Sequence, residues 1–166
     1  MTSKNEVAEI VRVSLLAEDL SFEEIDSDTF VVSIPGSKKK TISCSLSVGD
    51  YSLVANAFFM RAPDENQVAA YKYLLEQNAR AYAVHFALNS LGDIYLVGRL
   101  PLGAVNATEL DRMLGAILEY SERNFDHLLE MGFASAIRRE WAWRVERGES
   151  LENLAAFRHL FTETGQ

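Results

Sequence analysis

The chain has 166 residues, of which 48% are hydrophobic and 24% charged, and this composition fits one globular domain with a sizeable core. Its 16 lysines and arginines against 24 acidic residues give a formal net charge of −8, which disfavours nucleic acid because phosphate backbones attract clustered cations. A lone cysteine excludes an intrachain disulfide, and no stretch approaches the roughly 20 apolar residues of a membrane span. We therefore expect a cytoplasmic protein with neither a nucleic-acid nor a membrane partner.

The first third of the chain predicts a helix followed by strands. Apolar residues recur every three or four positions over residues 4–19, which is typical of an amphipathic helix. A polar stretch then leaves room for a short strand near residues 22–25, and the β-branched run FVVSI at 30–34 predicts a strand. The lysines at 38–40 are expected to form a solvated hairpin tip rather than an anion site.

The clearest pattern is a strict alternation that begins at residue 41. A period of two predicts a strand with one face in the core and the other in water. The apolar set is Ile42, Cys44, Leu46 and Val48. Cys44 is therefore interpreted as a small buried hydrophobe and not as a reactive thiol. The dipeptide Gly49-Asp50 predicts a tight hairpin into a second strand over 51–60.

The middle of the chain predicts a helix and a second hairpin. Asp64 is expected to cap a helix over 65–80. Its inward side chains are predicted to be Val68, Tyr71, Leu74 and Leu75. Strands are predicted over 81–88 and 94–100, joined by a polar turn.

Beyond Pro101 the pattern becomes helical. Asn106 and Glu109 have capping-box spacing, so a long amphipathic helix is predicted to begin there. One face of this helix carries Leu110, Leu114, Ile117, Ser121, Phe125 and Leu128. Gly132 is expected to end or bend the helix, and the remaining helical segment is broken at Gly148. Because hairpins join most strands, the order predicts an α+β fold with an antiparallel sheet and helices packed on it.

The sequence offers little for catalysis or for metal binding. The three histidines, His85, His127 and His159, lack the spacing of metal ligands to one another or to the cysteine. The nucleophile-elbow, dinucleotide-binding and phosphate-loop motifs are all absent. We predict no enzyme activity, no catalytic residues, no metal and no cofactor.

Two stretches attract attention as binding candidates. Trp141 and Trp143 lie among arginines, a composition that favours a protein interface as much as packing back onto the core. In GDIYLVGRLPL, residues 92–102, Gly98 predicts a bulge or close packing at a structural corner. Arg99 falls on the strand face opposite Ile94 and Leu96, where a dimer partner or a ligand groove could meet it.

The stretch at 92–102, with NATELDRMLGAILEYSERNFDHLLEMGF at 106–133, resembles the YbjN-domain family in an actinobacterial style. That bacterial family is described as "putative sensory transduction regulators". The resemblance implies a fold similar to type III secretion chaperones, with the order α-β-β-β-α-β-β-α. Those chaperones are small, acidic and usually homodimeric, and they bind extended segments of client proteins.

These observations lead to one functional prediction with an alternative. Residues 1–135 are expected to form the YbjN, secretion-chaperone-like domain, and residues 136–166 a helical extension packed on it. The function expected is a non-catalytic protein-binding or regulatory module, chaperone-like, that acts as a homodimer on an unknown client. The alternative is a small-ligand sensor with a pocket between the sheet and the long helix. The candidate partner-binding or ligand-binding residues are His85, Tyr95, Arg99, Trp141 and Trp143.

Overall fold

The structure is a computed structural model that describes residues 1–162. Its elements are α1 (Lys4–Ala17), β1 (Ser21–Asp26), β2 (Thr29–Pro35), β3 (Thr41–Val48), β4 (Ser52–Met60), α2 (Gln67–Asn78), β5 (Val84–Leu88), β6 (Ile94–Pro101), α3 (Ala107–Arg147) and α4 (His159–Thr162). Short 3₁₀ helices occupy Leu102–Ala104 and Glu152–Phe157. All strand pairs are antiparallel, in the order β1-β2-β3-β4-β6-β5. The predicted α+β class is confirmed; β1 is the short strand expected near residues 22–25, and it gives the sheet one strand more than the order implied by the family resemblance.

The helices cover one face of the sheet and leave the other face open. The covered face and the helices share a core, with fully buried side chains that include Leu15, Phe30, Phe59, Leu96, Leu110 and Ile117. The opposite set of strand residues contains no buried side chain. We call this set the open face; its principal residues are Glu23, Val31, Ser33, Ser43, Ser45, Ser47, Val54, Asn56, Phe58, His85, Ala87, Tyr95, Val97 and Arg99. The sheet is therefore half of a two-layer structure.

The lysine hairpin between β2 and β3 is tied to α3, so the prediction of a simple solvated tip was partly wrong. Lys38 Nζ lies 2.5 Å from Asp126 Oδ2, and the backbone N–H of Lys38 donates to the Glu122 carboxylate at 3.1 Å. Lys39 Nζ donates to the Phe59 carbonyl at 2.9 Å, and burial lowers the pKa of this lysine. Lys38 therefore holds the hairpin against α3, because Glu122 and Asp126 of that helix lie beside it.

Helix α2 differs from its prediction in its cap and in its buried face. Asp64 accepts hydrogen bonds from Arg61 instead of capping the helix, and Asn66 occupies the N-cap position. Val68 and Leu75, which were predicted to point inward, are 85% and 69% exposed. The buried residues of α2 are Ala70 and Leu74. The reason is geometric: α2 lies against the β5 edge of the sheet, so only a narrow stripe of the helix meets the core.

Helix α3 bends at Gly132 and continues, in agreement with the predicted bend. Phe133 has a non-helical backbone, with φ of −139°. A methyl group on Gly132 would lie 2.8 Å from Pro63 Cβ, so the glycine permits the loop before α2 to pack against the bend. The Gly132 carbonyl accepts from the Glu65 N–H, and the Glu65 carboxylate accepts from the Ser135 N–H at 2.7 Å. The loop thus satisfies backbone groups that the bend frees.

The C-terminal segment folds back onto the second half of α3. Phe157 is only 5% exposed, and the Trp141 ring stacks on the Phe161 ring with centroids 4.2 Å apart. A helical C-terminal extension is therefore present. Helix α3 runs through the predicted boundary between 1–135 and 136–166, so the division into two units stays a prediction, and residues 163–166 lie outside the described part of the chain.

Candidate binding surfaces

The open face brings three of the predicted site residues together. His85 on β5 is paired in register with Val97 on β6, and Tyr95 and Arg99 flank Val97 on the same strand. His85 and Arg99 are exposed, and Tyr95 is half-buried. Their binding role stays a prediction. Because alternate strand residues point to opposite faces, all three lie away from α3. These three residues therefore lie on the side of the sheet away from the region where the alternative prediction expected a ligand pocket.

An aromatic pair adds apolar area to one end of the open face. The rings of Phe58 and Tyr95 meet edge to face with centroids 5.4 Å apart, and Phe58 remains 41% exposed. The Lys39 ammonium lies 5.1 Å from the Phe58 ring centre. Phe58 and Phe59 point to opposite sides of the sheet by ordinary strand alternation, and at the register shift between Phe58 and Met60 both Phe59 and Met60 are buried. The open face is consequently mixed in character: apolar near this pair and rich in serine elsewhere.

The two tryptophans lie apart from the open face. Trp141 is half-buried in its stack with Phe161, so it packs back onto the chain as one of the two alternatives expected. Trp143 is 43% exposed, with the Arg147 guanidinium 4.7 Å from its ring centre. The five predicted site residues are thus divided between two separate regions, and any binding role of the tryptophans stays a prediction.

A shallow apolar groove lies between the end of β4 and the bent half of α3. We call it the α3 groove; its lining consists of Lys39, Phe58, Phe59, Met60, Arg61, Phe125, Leu129, Phe133, Ala136, Ile137, Glu140 and Leu154. Its volume is about 490 Å³. The Arg61 guanidinium lies 4.3 Å from the Phe133 ring centre at its rim. Sequence reasoning did not locate this groove, although it predicted both the apolar stripe through Phe125 and the bend at Gly132.

A smaller and more polar cavity lies on the other side of α3, beneath β5. It has a volume of about 210 Å³ and is lined by Gln77, Arg80, Ala81, Phe86, Tyr120, Arg123 and Asn124. Asn124 is 1% exposed; its amide donates to the Tyr120 carbonyl at 2.8 Å, and its oxygen accepts from the Tyr73 hydroxyl at 2.6 Å. This cavity lies between the sheet and α3, where the alternative prediction expected a pocket, but His85, Tyr95 and Arg99 do not line it.

The two edges of the sheet differ in how they are protected. At the β5 edge, the Asn78 side chain accepts from the Phe86 N–H at 2.7 Å and donates to the Phe86 carbonyl at 3.0 Å, which occupies the outward backbone groups at the centre of this strand. The β1 edge presents Glu23 and Glu24 and is irregular between Glu24 and Asp26. Charges, bulges and capped backbone groups all oppose the addition of a further strand.

Shifted pKa values belong mainly to surface ion pairs. The Arg12 guanidinium lowers the pKa of Glu24, and the Arg61 guanidinium lowers the pKa of Asp64. These pairs fasten α1 to β1 and brace the loop before α2, so they have a structural explanation.

Across residues 1–162, no three histidine, cysteine, aspartate or glutamate side chains are grouped as a metal site. No helix in that part of the chain is long and apolar enough to cross a membrane.

Cys44 provides a direct test of core burial. Its side chain is 0% exposed, as the alternation predicted, and burial raises the pKa of the thiol to about 12. We expect alkylation of Cys44 by iodoacetamide in the native protein to be at least about a hundredfold slower than alkylation of glutathione, since the reactive thiolate is scarce and covered. Mass spectrometry of native and urea-unfolded samples measures this. Labelling of the native protein at the rate of glutathione would contradict the burial of β3.

Sequence comparisons connect the chain to a bacterial family. A sequence model of the YbjN family, described as "Putative bacterial sensory transduction regulator", matches residues 8–130. An uncharacterised protein of Mycobacterium tuberculosis is 51% identical over 136 residues, which cover 82% of this chain and 74% of that protein. One from Mycobacterium leprae is 42% identical over 161 residues, which cover 94% of this chain and 88% of that protein.

Solved structures show the same fold at low sequence identity. Escherichia coli YbjN matches with a TM-score of 0.55 at 16% identity, covering 72% of this chain and 92% of that one. A chain of the ExoU–SpcU complex from the type III secretion system of Pseudomonas aeruginosa matches with a TM-score of 0.52 at 13% identity, covering 74% and 97%. A chain of the HopA1–SchA chaperone–effector complex matches with a TM-score of 0.51 at 14% identity, covering 68% and 88%. The chain therefore belongs to the YbjN family and has the antiparallel fold of type III secretion chaperones.

Proposed function

We propose that this protein is a non-catalytic, chaperone-like binding or regulatory module that acts as a homodimer and buries a segment of a client protein in the α3 groove. The observation that carries this proposal is the groove itself: an exposed, mainly aromatic and aliphatic depression of about 490 Å³. Apolar surface of this kind on a globular protein is typical of a site for another protein.

The shape of the α3 groove favours a short amphipathic segment. Aromatic side chains form its floor and Lys39, Arg61 and Glu140 lie at its rim, so an apolar stripe could enter while polar groups stay in water. Addition of a client strand to a sheet edge is the less favoured mode, because Asn78 occupies backbone groups of β5. The shared fold with a chain of a chaperone–effector complex supports the same class of activity by analogy.

The alternative, a small-ligand sensor, is favoured by the polar cavity beneath β5. Arg80 and Arg123 both line this cavity, and the buried Asn124 forms part of its wall. Arginine side chains at a cavity are suited to a carboxylate or a phosphate, although the Arg123 guanidinium also pairs with Glu119. A sensor of this kind would bind its ligand through Arg80 and Arg123, and not through the residues of the open face.

Native mass spectrometry of the protein purified from the organism that encodes it tests both functions. We expect a co-purifying polypeptide on the wild type and about a tenfold lower bound fraction for Ala136→Arg, because a half-buried groove residue becomes long and charged. Ala142→Arg is the matched control, since Ala142 is an exposed residue of the same helix outside the groove. It should keep the polypeptide.

Two other outcomes are informative. A discrete small adduct that disappears in Arg80→Ala and persists in Ala136→Arg would replace the client proposal with the sensor. A polypeptide that remains bound equally in Ala136→Arg and in Ala142→Arg would show that the α3 groove is not the client site.

A further inference from the structure

The open face carries a row of six side chains whose chemistry is nearly symmetric from edge to edge. Strand registers connect one residue of each strand directly to the next across the whole sheet. From β1 to β5 the row is Glu23, Val31, Ser45, Asn56, Val97 and His85. An acid and a base form the ends, valines come next, and two small polar residues form the centre.

This order suits an isologous contact between two identical faces. If two open faces meet about a two-fold axis that runs parallel to the strands between β3 and β4, each row lies against itself in reverse. Glu23 then faces His85 of the second copy, and Val31 faces Val97 of the second copy. Ser45 faces Asn56, so each layer of the contact pairs groups of compatible chemistry.

We propose that the open face binds a second copy of this chain in this arrangement, with Glu23 and His85 pairing across the interface at both ends of the row. The proposal rests on the homodimer included in the proposed function and names its contact surface. Glu23 and His85 are both exposed, and neither forms an ion pair with any other residue of the range 1–162. Val31 and Val97 are half-buried and present branched apolar groups between them.

The size of the face indicates a reversible dimer. Six strands at a spacing of about 4.8 Å span roughly 24 Å, and strands of this length extend about 20 Å, so the projected area is roughly 500 Å² per copy. Stable interfaces bury about 800 Å² per partner, and smaller ones are weak and transient. We therefore expect a dimer whose population depends on concentration. Most of the α3 groove lies on the other side of the sheet and stays accessible in this arrangement.

Charge-swap variants test the pairing. His85→Glu places one glutamate against Glu23 at each end of the row, and Glu23→Lys replaces the acid opposite His85 with a cation. We expect each single variant to raise the dimer dissociation constant about tenfold or more, since His85→Glu sets two acids against each other at both ends and Glu23→Lys removes both Glu23–His85 pairs. The double variant Glu23→Lys/His85→Glu should recover dimerisation. Sedimentation equilibrium over a concentration series measures all of these, and circular dichroism verifies the fold.

The sharpest result comes from mixing the two single variants. Their mixture should form heterodimers above the statistical proportion in native mass spectra. Only the mixed pair places the lysine introduced at position 23 of one variant against the glutamate introduced at position 85 of the other.

Glu149→Lys, an exposed change in the turn after α3, is the control and should dimerise like the wild type. A wild-type dimer with unchanged single variants and a statistical mixture would overturn this interface while leaving the homodimer standing. A wild type that stays monomeric throughout would overturn both.

Discussion

Phe59→Ala is expected to lower the free energy of unfolding by about 3–5 kcal/mol, a large part of the 5–15 kcal/mol that stabilises a typical domain. Phe59 is 1% exposed, and its ring meets the rings of Phe86 and Phe125 at centroid distances of 5.3 and 6.1 Å. It therefore joins β4, β5 and α3 in one cluster. Removal of the ring leaves a cavity at the place where the long helix meets the sheet. Urea unfolding followed by circular dichroism measures the loss.

The neighbouring residue supplies a matched control. Phe58 has the same side chain on the same strand but is 41% exposed, so Phe58→Ala should cost less than about 1.5 kcal/mol. The two substitutions thus separate burial from residue type. Equal losses for Phe58→Ala and Phe59→Ala would contradict the assignment of which side of β4 faces α3.

Gly98→Ala is expected to destabilise the protein by about 1–3 kcal/mol through overpacking. A methyl group at this position would lie 2.7 Å from Val84 Cγ1 and 2.8 Å from the Ala83 carbonyl oxygen. Ala83 has a left-handed backbone, with φ of 64°, and this turn brings its carbonyl toward β6. The added methyl group must therefore displace backbone between two paired strands. Thermal and urea unfolding measure the effect.

Gly103→Ala is the control for the loss of a glycine. A methyl group at Gly103 meets no atom within 4 Å, so the change should leave stability within about 0.5 kcal/mol of the wild type. If Gly98→Ala proved as harmless as Gly103→Ala, the close approach of β5 to β6 at Ala83 would be wrong. Gly98 is thus explained by close packing against β5, one of the alternatives that the sequence indicated, whereas the expected bulge or corner is absent because β6 runs in register through Gly98 to Pro101.

The α3 groove and the open face can be tested separately for client binding and for dimerisation. Ala136 in the α3 groove and Val97 on the open face lie on different sides of the sheet layer. A variant in one surface can therefore be used without disturbing the other, except at Phe58, which belongs to both. This separation allows dimerisation and client binding to be measured independently, which a single combined interface would prevent.

The periodicity of apolar residues in the sequence correctly predicted the strands and helices that bury one face and expose the other. The alternation around Cys44 predicted the buried set correctly, and so did the stripe through Ile117 except at Phe125, which is partly buried and lines the α3 groove. Strand β5 was predicted from residue 81 but begins at Val84, since the left-handed turn at Ala83 breaks its pairing. Helix α2 was predicted with too wide a buried face, as the exposure of Val68 and Leu75 shows.

The sequence by itself determined the α+β class, the antiparallel hairpins, the bend at Gly132 and the family, since all of these depend on local patterns along the chain. Only the tertiary structure decided that α2 lies at the sheet edge, that one sheet face stays open, and that the α3 groove forms beside β4. It also decided that no helix covers the face on which the alternation had already placed Arg99. The physical reason is that these features depend on which elements meet in space. Side-chain periodicity records that an element has a buried face, but not which neighbour buries it or how far that neighbour extends.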